Sequence, residues 1–429
     1  MDIKTNYTLI GDVREKLKEL PDKSIQMCVT SPPYYALRDY GTAEWEGGDP
    51  NCDHIDKQQQ RGQSSAKQST NNQGNSGSLL KTCKKCGAKR KDNQLGLEDT
   101  PEEFVENMVE VFAEVHRVLR DDGTLWLNLG DSYAMSSMRG KNSKFKSIDQ
   151  SHSGITNVKR SLNGLPPKSL MGIPWKVAIA LQEWGWVLRQ DIIWAKKNCM
   201  PESVKDRFTK NHEYIFLFSK QPKYFFNQIL EPVKQVSIER AKSPMKHRTI
   251  STKGVKYDLS DNPNRVVRAD GMKNKRSVWN MRTASYKEAH FAVFPPELAE
   301  TCIQAGCPEK ICAECETPYK KVMEREKTIK AKKSEVRGMP VGDKIVYHRK
   351  LGAKYEEKMK ENPLIDKGLQ KQCDCETDET KPGIVLDCFM GSGTTAMVAQ
   401  NLFRKWIGVE LNPEYEKLIK KRTAQQTLF

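Results

Sequence analysis

No run of about 18 or more apolar residues occurs in the 429-residue chain, so no membrane-spanning helix is expected. The opening residues, Met1-Asp2-Ile3-Lys4-Thr5, lack the apolar core of a secretion signal, which makes a cytoplasmic protein the expectation. Hydrophobic residues reach only 37% and charged ones 29%, too little apolar content for every segment to join a packed core. No Lys follows the glycines near the C-terminal end, so a phosphate-binding P-loop is excluded there. No internal repeat appears.

Positive charge is what the chain has in excess. Lys and Arg number 71 against 55 Asp and Glu, a net +16, which favours a polyanionic partner, most simply nucleic acid. Residues 221–288 hold 15 Lys and Arg against 6 Asp and Glu, a net +9 and more than half of the total. There Lys242, Lys246, Arg248, Arg265, Arg268, Lys273, Lys275 and Arg276 are mixed with Asn, Ser, Thr and Tyr257. Such side chains contact phosphates and read base edges, whereas a solvated linker would need only the charge.

Strand and helix patterns alternate over residues 1–46 and 95–220 and return over 382–429, the signature of an α/β sheet. Residues 7–13 and 25–30 read as strands around a helix from Arg14 to Leu20. Thr100-Pro101-Glu102-Glu103 supplies an N-cap with Pro at the first helical position. The helix carries Phe104, Met108, Val111, Phe112, Val115 and Leu119 on one face and is expected to end near Asp121-Asp122-Gly123. Residues 47–94 form a polar insertion with a low-complexity stretch around Gln58 to Asn75, and 136–165 is again polar. Residues 308–381 form a charged insertion.

Ile384-Val385-Leu386-Asp387 is a short apolar strand ending in a carboxylate, and Phe389-x-Gly391-Ser392-Gly393-Thr394 turns it into a helix. Glycine serves where the backbone approaches a ligand or takes positive φ. A second strand ends in Glu410, placed to accept hydrogen bonds from both hydroxyls of a ribose. The third glycine of a dinucleotide fingerprint is replaced by Ala396, which disfavours a nicotinamide enzyme. A ligand with ribose and adenine but no phosphate, S-adenosylmethionine, suits this set.

Val29-Thr30-Ser31-Pro32-Pro33-Tyr34 follows another apolar strand. Two prolines hold an extended turn. The exocyclic amino group of cytosine or adenine is a poor nucleophile because its lone pair is delocalised into the ring. Acceptors such as Ser31 Oγ and the Pro32 carbonyl draw that nitrogen toward sp³ geometry. Tyr34 offers a face on which an extruded base can stack. No Pro-Cys dipeptide occurs, so the thiolate needed for methylation at cytosine carbon 5 is not presented in its usual way.

At these residues the chain resembles the β-arrangement DNA amino-methyltransferases, in which the catalytic motif comes first and the glycine loop last. The resemblance covers roughly residues 5–46, 95–220, 277–307 and 382–425. It implies a Rossmann-like methyltransferase with a central, mostly parallel sheet and permuted motif order. The catalytic domain would comprise 1–46, 95–220, 289–307 and 382–429, with 221–288 as the target-recognition region. Ile10-Gly11-Asp12 resembles the segment whose aspartate contacts the adenine of the cofactor. Asn128-Leu129-Gly130-Asp131-Ser132-Tyr133 resembles the strand end beside the base pocket. The stretch from His290 to Phe294-Pro295 resembles the segment that contacts the methionine part of the cofactor.

The implied site then has Ser31, Pro32, Pro33 and Tyr34 as catalytic residues. Asp12, Phe294, Asp387, Phe389, Gly391, Ser392, Gly393, Thr394 and Glu410 would bind the cofactor. Ser-Pro-Pro-Tyr is typical of cytosine-N4 enzymes; adenine-N6 enzymes more often carry Asp or Asn in place of Ser31. Double-stranded DNA, a cognate restriction endonuclease and a bacterial or phage-encoded origin are part of what the resemblance implies. A DNA-binding protein with an inactive methyltransferase domain is the alternative of another class. The family's usual Asp-Pro-Phe reads Asp-Cys-Phe here, so Cys388 is expected to be a packed thiol.

Cys312-x₂-Cys315 with Cys373-x-Cys375, and Cys52-x-His54 with Cys83-x₂-Cys86, are two sets of four ligands suited to tetrahedral structural zinc, the alternative being free thiols. Neither would be catalytic, since protein ligands fill all four positions. Cys28, Cys199, Cys302 and Cys307 read as core or stray thiols.

Overall fold

The structure is a computed structural model that describes residues 3–37, 40, 42–54, 82–134, 165–236, 249–252, 255–258, 272–284, 293–325, 338–341, 344–347 and 364–424. Lys242, Lys246, Arg248, Arg265, Arg268, His290, the low-complexity stretch from Gln58 to Asn75 and most of the polar segment 136–165 lie outside the described residues.

Eight strands form the sheet of the first unit, which comprises Met1–Phe226, Ser277–Ile311 and Thr380–Phe429. In chain order they are β1 (Tyr7–Ile10), β2 (Ile25–Thr30), β3 (Leu119–Leu129), β4 (Val187–Lys196), β5 (His212–Ser219), β6 (Val278–Met281), β7 (Ile384–Asp387) and β8 (Lys405–Glu410). Their order across the sheet is β1-β8-β7-β2-β3-β5-β4-β6. Every neighbouring pair is parallel except those made by β5, which runs antiparallel to both β3 and β4. The expected mostly parallel α/β sheet is therefore present. All residues of β2 and β7 are buried, as befits central strands covered on both faces.

The helices are α1 (Val13–Lys16), α2 (Pro101–Val118), α3 (Ile173–Trp184), α4 (Pro296–Gly306), α5 (Thr394–Asn401) and α6 (Tyr415–Ala424). Among the described residues, none is long and apolar enough to cross a membrane. Thr100 caps α2 by accepting from Glu103 N at 3.2 Å, with Pro101 at the first position. The face carrying Phe104, Met108, Val111, Phe112 and Val115 is wholly buried, and α2 packs on α1 and α3.

Two boundaries differ from the sequence reading. The helix stops at Val118, and Leu119 opens β3, which runs straight through Asp121-Asp122-Gly123. The pairing of β3 with β2 jumps from Ile25↔Leu119 to Met27↔Thr124, so an irregularity absorbs the charged residues that look like a turn. Strand β1 ends at Ile10 because Asp12 already caps α1, and the expected helix to Leu20 is split into α1 and a 3₁₀ turn, Leu17–Glu19.

The second unit, Asn227–Arg276 and Cys312–Glu379, contains short antiparallel pairs. Leu230–Pro232 pairs with Met272–Asn274, and Lys273 bridges to Glu231 across that pair at 2.9 Å. Lys320–Arg325 pairs with Leu364–Gln370.

Candidate active site

Strands β2 and β7 are adjacent and parallel, so the two chemistry-bearing segments leave the same carboxyl edge of the sheet. A buried hydrogen-bond lock joins them. Asp387 accepts from Thr30 Oγ1 at 2.6 Å, from Thr395 Oγ1 at 2.6 Å and from Phe389 N at 3.1 Å. Burial pushes its pKa up, against those three donors.

Beyond Asp387 the chain turns through Gly391 (φ +53°) and Gly393 (φ +82°) into α5. A Cβ on Gly393 would lie 3.2 Å from Ile419, so this glycine lets α6 approach. Glu410, at the end of β8, accepts from Gly391 N at 2.8 Å and from Asn412 N at 2.9 Å. Burial nonetheless raises its pKa to about 7. Ser392 Oγ accepts from Arg422 at 3.0 Å. Asp12 accepts from Arg14 N at 2.9 Å and from the Arg14 guanidinium at 2.6 Å. Partial burial works upward on Asp12, yet these hydrogen bonds and the Arg14 charge leave its pKa below the usual value.

On the β2 side, Ser31 Oγ lies 3.3 Å from Tyr34 Oη. Tyr34 Oη donates to Glu213 Oε2 at 2.7 Å and lies 3.3 Å from Asn128 Oδ1. Asn128 Nδ2 donates to Glu213 at 3.2 Å and to the Tyr214 carbonyl at 3.0 Å. Lys196 pairs with the other oxygen of Glu213, and its ammonium lies over the Trp194 ring at 4.8 Å. Burial, then the Glu213 charge, holds the Tyr34 phenol well above its usual pKa, so it stays a neutral donor. A Cβ on Gly130 would come within 2.5 Å of the Tyr34 ring; glycine there leaves the ring its place.

Both halves line one cavity of about 400 Å³. Ser31, Pro32, Pro33 and Tyr34 are on its wall with Asp12, Phe294, Phe389, Gly391, Ser392, Thr394 and Glu410. Two buried hydroxyls on that wall, Thr42 Oγ1 and Thr394 Oγ1, have no hydrogen-bond partner among the described residues.

Residues 25–311 and 376–421 match the family of DNA methylases that modify amino nitrogens at N6 or N4. The chain is 31% identical over 423 residues to the Type II methyltransferase M.SmaI of Serratia marcescens, covering 97% of this chain and 90% of the relative. It belongs to the DNA methylase family. It is also 31% identical over 424 residues to the Type II methyltransferase M.XycI of Xanthomonas campestris pv. cyanopsidis, covering 97% of this chain and 87% of the relative. Among solved structures, the PvuII DNA methyltransferase (cytosine-N4-specific) aligns over 99% of this chain and 89% of its own, at 15% identity and a TM-score of 0.46.

This methylase therefore has the β arrangement, with its catalytic segment ahead of its glycine loop. Family membership makes it an S-adenosylmethionine-dependent DNA methyltransferase and sets aside the nicotinamide reading. Of the residues expected at the site, Asp387 and Gly393 do not line the cavity; one locks the strands and the other seats a helix. Sequence reasoning missed Glu213, Lys196, Trp194 and Thr42, which lie on the wall in segments without a motif. Cys388 is 1% exposed, and Cys28, Cys302 and Cys307 are buried thiols. The metal-ligand candidates come together in two clusters, Cys52, His54, Cys83, Cys86 and Cys312, Cys315, Cys373, Cys375.

Proposed function

We propose that this methylase transfers a methyl group from S-adenosylmethionine to the N4 amino group of cytosine, on a base extruded from duplex DNA. The observation that carries the reading is the sharing of one cavity by Ser31, Pro32 and Tyr34 with Phe294, Phe389 and Glu410.

The wall fits the cofactor. A largely buried carboxylate on Glu410 suits the two ribose hydroxyls, and the partnerless hydroxyls of Thr42 and Thr394 offer further polar contacts. Phe294 and Phe389 supply apolar surface, Asp12 would take the adenine end, and Gly391 would let backbone approach. Asp387 and Gly393 support this set from outside the cavity. When bound, S-adenosylmethionine supplies an electrophilic methyl group.

The base is positioned by this chain's own groups. Ser31 Oγ and the Pro32 carbonyl accept hydrogen bonds from the amino group and free its lone pair. Tyr34 presents its ring, its hydroxyl being tied to Glu213. The nitrogen would take the methyl carbon as the carbon–sulfur bond breaks and S-adenosylhomocysteine leaves, and it would shed one proton along these hydrogen bonds. Positioning supplies most of the rate enhancement. Ser31, rather than Asp or Asn, favours cytosine over adenine. Residues 221–288 would grip and read the DNA, and the Type II names of the relatives support a restriction-modification setting in the cytoplasm.

The test is incubation with unmethylated DNA and S-adenosylmethionine, digestion to nucleosides and mass spectrometry. N4-methylcytosine is expected. N6-methyladenine would overturn the base assignment, and no modified nucleoside across varied DNA would overturn the activity.

A further inference from the structure

Two turns, one in each unit, share the same backbone construction. In Cys83-Lys84-Lys85-Cys86-Gly87-Ala88, Cys83 N donates to Ala88 O at 2.7 Å and Gly87 N donates to Cys83 O at 2.9 Å. In Cys312-Ala313-Glu314-Cys315-Glu316-Thr317, Cys312 N donates to Thr317 O at 3.0 Å and Glu316 N donates to Cys312 O at 3.0 Å. The fifth residue of each turn has positive φ, +77° at Gly87 and +57° at Glu316. Positive φ is uncommon for a non-glycine residue, so the second turn holds a strained conformation that the first reaches freely.

Each turn faces a second ligand pair, and in each cluster all four ligand atoms lie within 4.8 Å of one another. In the first cluster Cys52 Sγ is 3.8 Å from Cys83 Sγ, and Cys86 Sγ is 3.5 Å from His54 Nδ1. A tetrahedral zinc with Zn–S of about 2.3 Å and Zn–N of about 2.0 Å has edges of about 3.8 Å between sulfurs and about 3.5 Å between sulfur and nitrogen. Lys85 N lies 3.4 Å from Cys83 Sγ, a backbone donor suited to a thiolate. The His54 ring is stacked on Trp45, with centroids 4.7 Å apart, which fixes the imidazole that offers Nδ1.

A short strand pair links this cluster to the cavity. Glu44–Glu46 pairs with Lys89–Lys91, three residues against three. Thr42 just before it, and Asn93, Gln94 and Leu95 just after it, line the cavity. Gln94 Oε1 accepts from Tyr40 N at 2.6 Å and ties the two ends together. A lone two-stranded pair of this length is marginal in water, so its order has to come from elsewhere.

We infer that Cys52, His54, Cys83 and Cys86 bind a zinc ion that holds this wall of the methylase cavity in place, and that Cys312, Cys315, Cys373 and Cys375 bind a second zinc in the same type of turn. The metal acts as a staple and takes no part in the chemistry, because protein ligands fill its coordination sphere. Zinc binding stands independently of the activity; its effect on S-adenosylmethionine rests on the proposed function.

Elemental analysis of the full chain should find two zinc ions per molecule. The Cys83→Ser, Cys86→Ser double variant should retain one, as should Cys312→Ser, Cys315→Ser. With one-tenth of molecules keeping the wall ordered, loss of the first zinc weakens S-adenosylmethionine binding by roughly tenfold. Should the first variant fail to fold, mild chelation of the wild-type protein followed by zinc re-addition gives the same reading, as reversible loss of affinity. A wild-type protein without zinc, or with iron instead, overturns the metal assignment. Cofactor affinity unmoved by loss of the first zinc overturns the wall. Zinc-loaded protein with no affinity for S-adenosylmethionine overturns the proposed function and leaves the zinc count intact.

Discussion

At Glu410 two backbone donors favour the carboxylate, and burial outweighs them to hold the pKa at about 7. The folded value lies above the ordinary 4.5, so stability from this group is fully present below pH 4.5 and is lost as pH rises through about 7. In the proposed site ribose hydroxyls would donate to the charged form, so cofactor binding would release a proton below that point. Calorimetric titration of S-adenosylmethionine should therefore show affinity rising between pH 5.5 and 7, by up to about tenfold per pH unit, then levelling. Glu410→Gln should bind more weakly, with a flat profile. Glu213 poses a different test. It accepts from Tyr34 and Asn128 and pairs with Lys196, so Glu213→Ala removes one acceptor shared by three groups. Displacement of the Tyr34 ring should lower single-turnover methylation by roughly 10- to 100-fold. Cofactor affinity should change far less; an equal fall in both would count against a role in placing the base.

Asp387 does for two elements what Glu213 does for one side chain. Thr30 and Thr395 are both fully buried, and their hydroxyls end on its carboxylate. Asp387→Ala should cost roughly 2–6 kcal/mol in chemical denaturation, at about 1–3 kcal/mol for each of the two buried hydroxyls left unpaired. Asp387→Asn, which keeps an acceptor, should cost less. The sequence marked this aspartate by its place before the glycine loop, but a motif records a position and not a partner. Helix α2 was legible because Thr100 and Pro101 act locally, within one turn. The end of α2 was not: Asp121-Asp122-Gly123 looks like a turn, but it is carried inside the strand as an irregularity between Leu119 and Thr124, which both pair with β2. Glu213 was hidden for the same reason. It sits in a strand read for its apolar residues, and its meaning comes from Tyr34, 179 residues earlier in the chain. The cysteine pairs were readable because metal spacing is a local property.

Across the whole molecule, charge is concentrated where DNA recognition is proposed, with a net +9 in residues 221–288. Each phosphate contact steepens the salt dependence of binding by about 0.9 in a plot of log affinity against log salt. Neutralising Lys242, Lys246 and Arg248 together should lower that slope by up to roughly 2.7, as read by fluorescence anisotropy between about 50 and 200 mM salt. An unchanged slope would place the DNA contacts elsewhere. The lock between Thr30 and Asp387 spans 357 residues of sequence. On a ribosome adding 5–20 residues per second, the serine loop waits roughly 20–70 s for the aspartate that completes its neighbour. Residues 221–288, proposed to recognise DNA, emerge within that interval. On the proposed function, a nascent or prematurely terminated chain would have no methyl-donor site, and the cell would acquire target choice before the power to mark its genome.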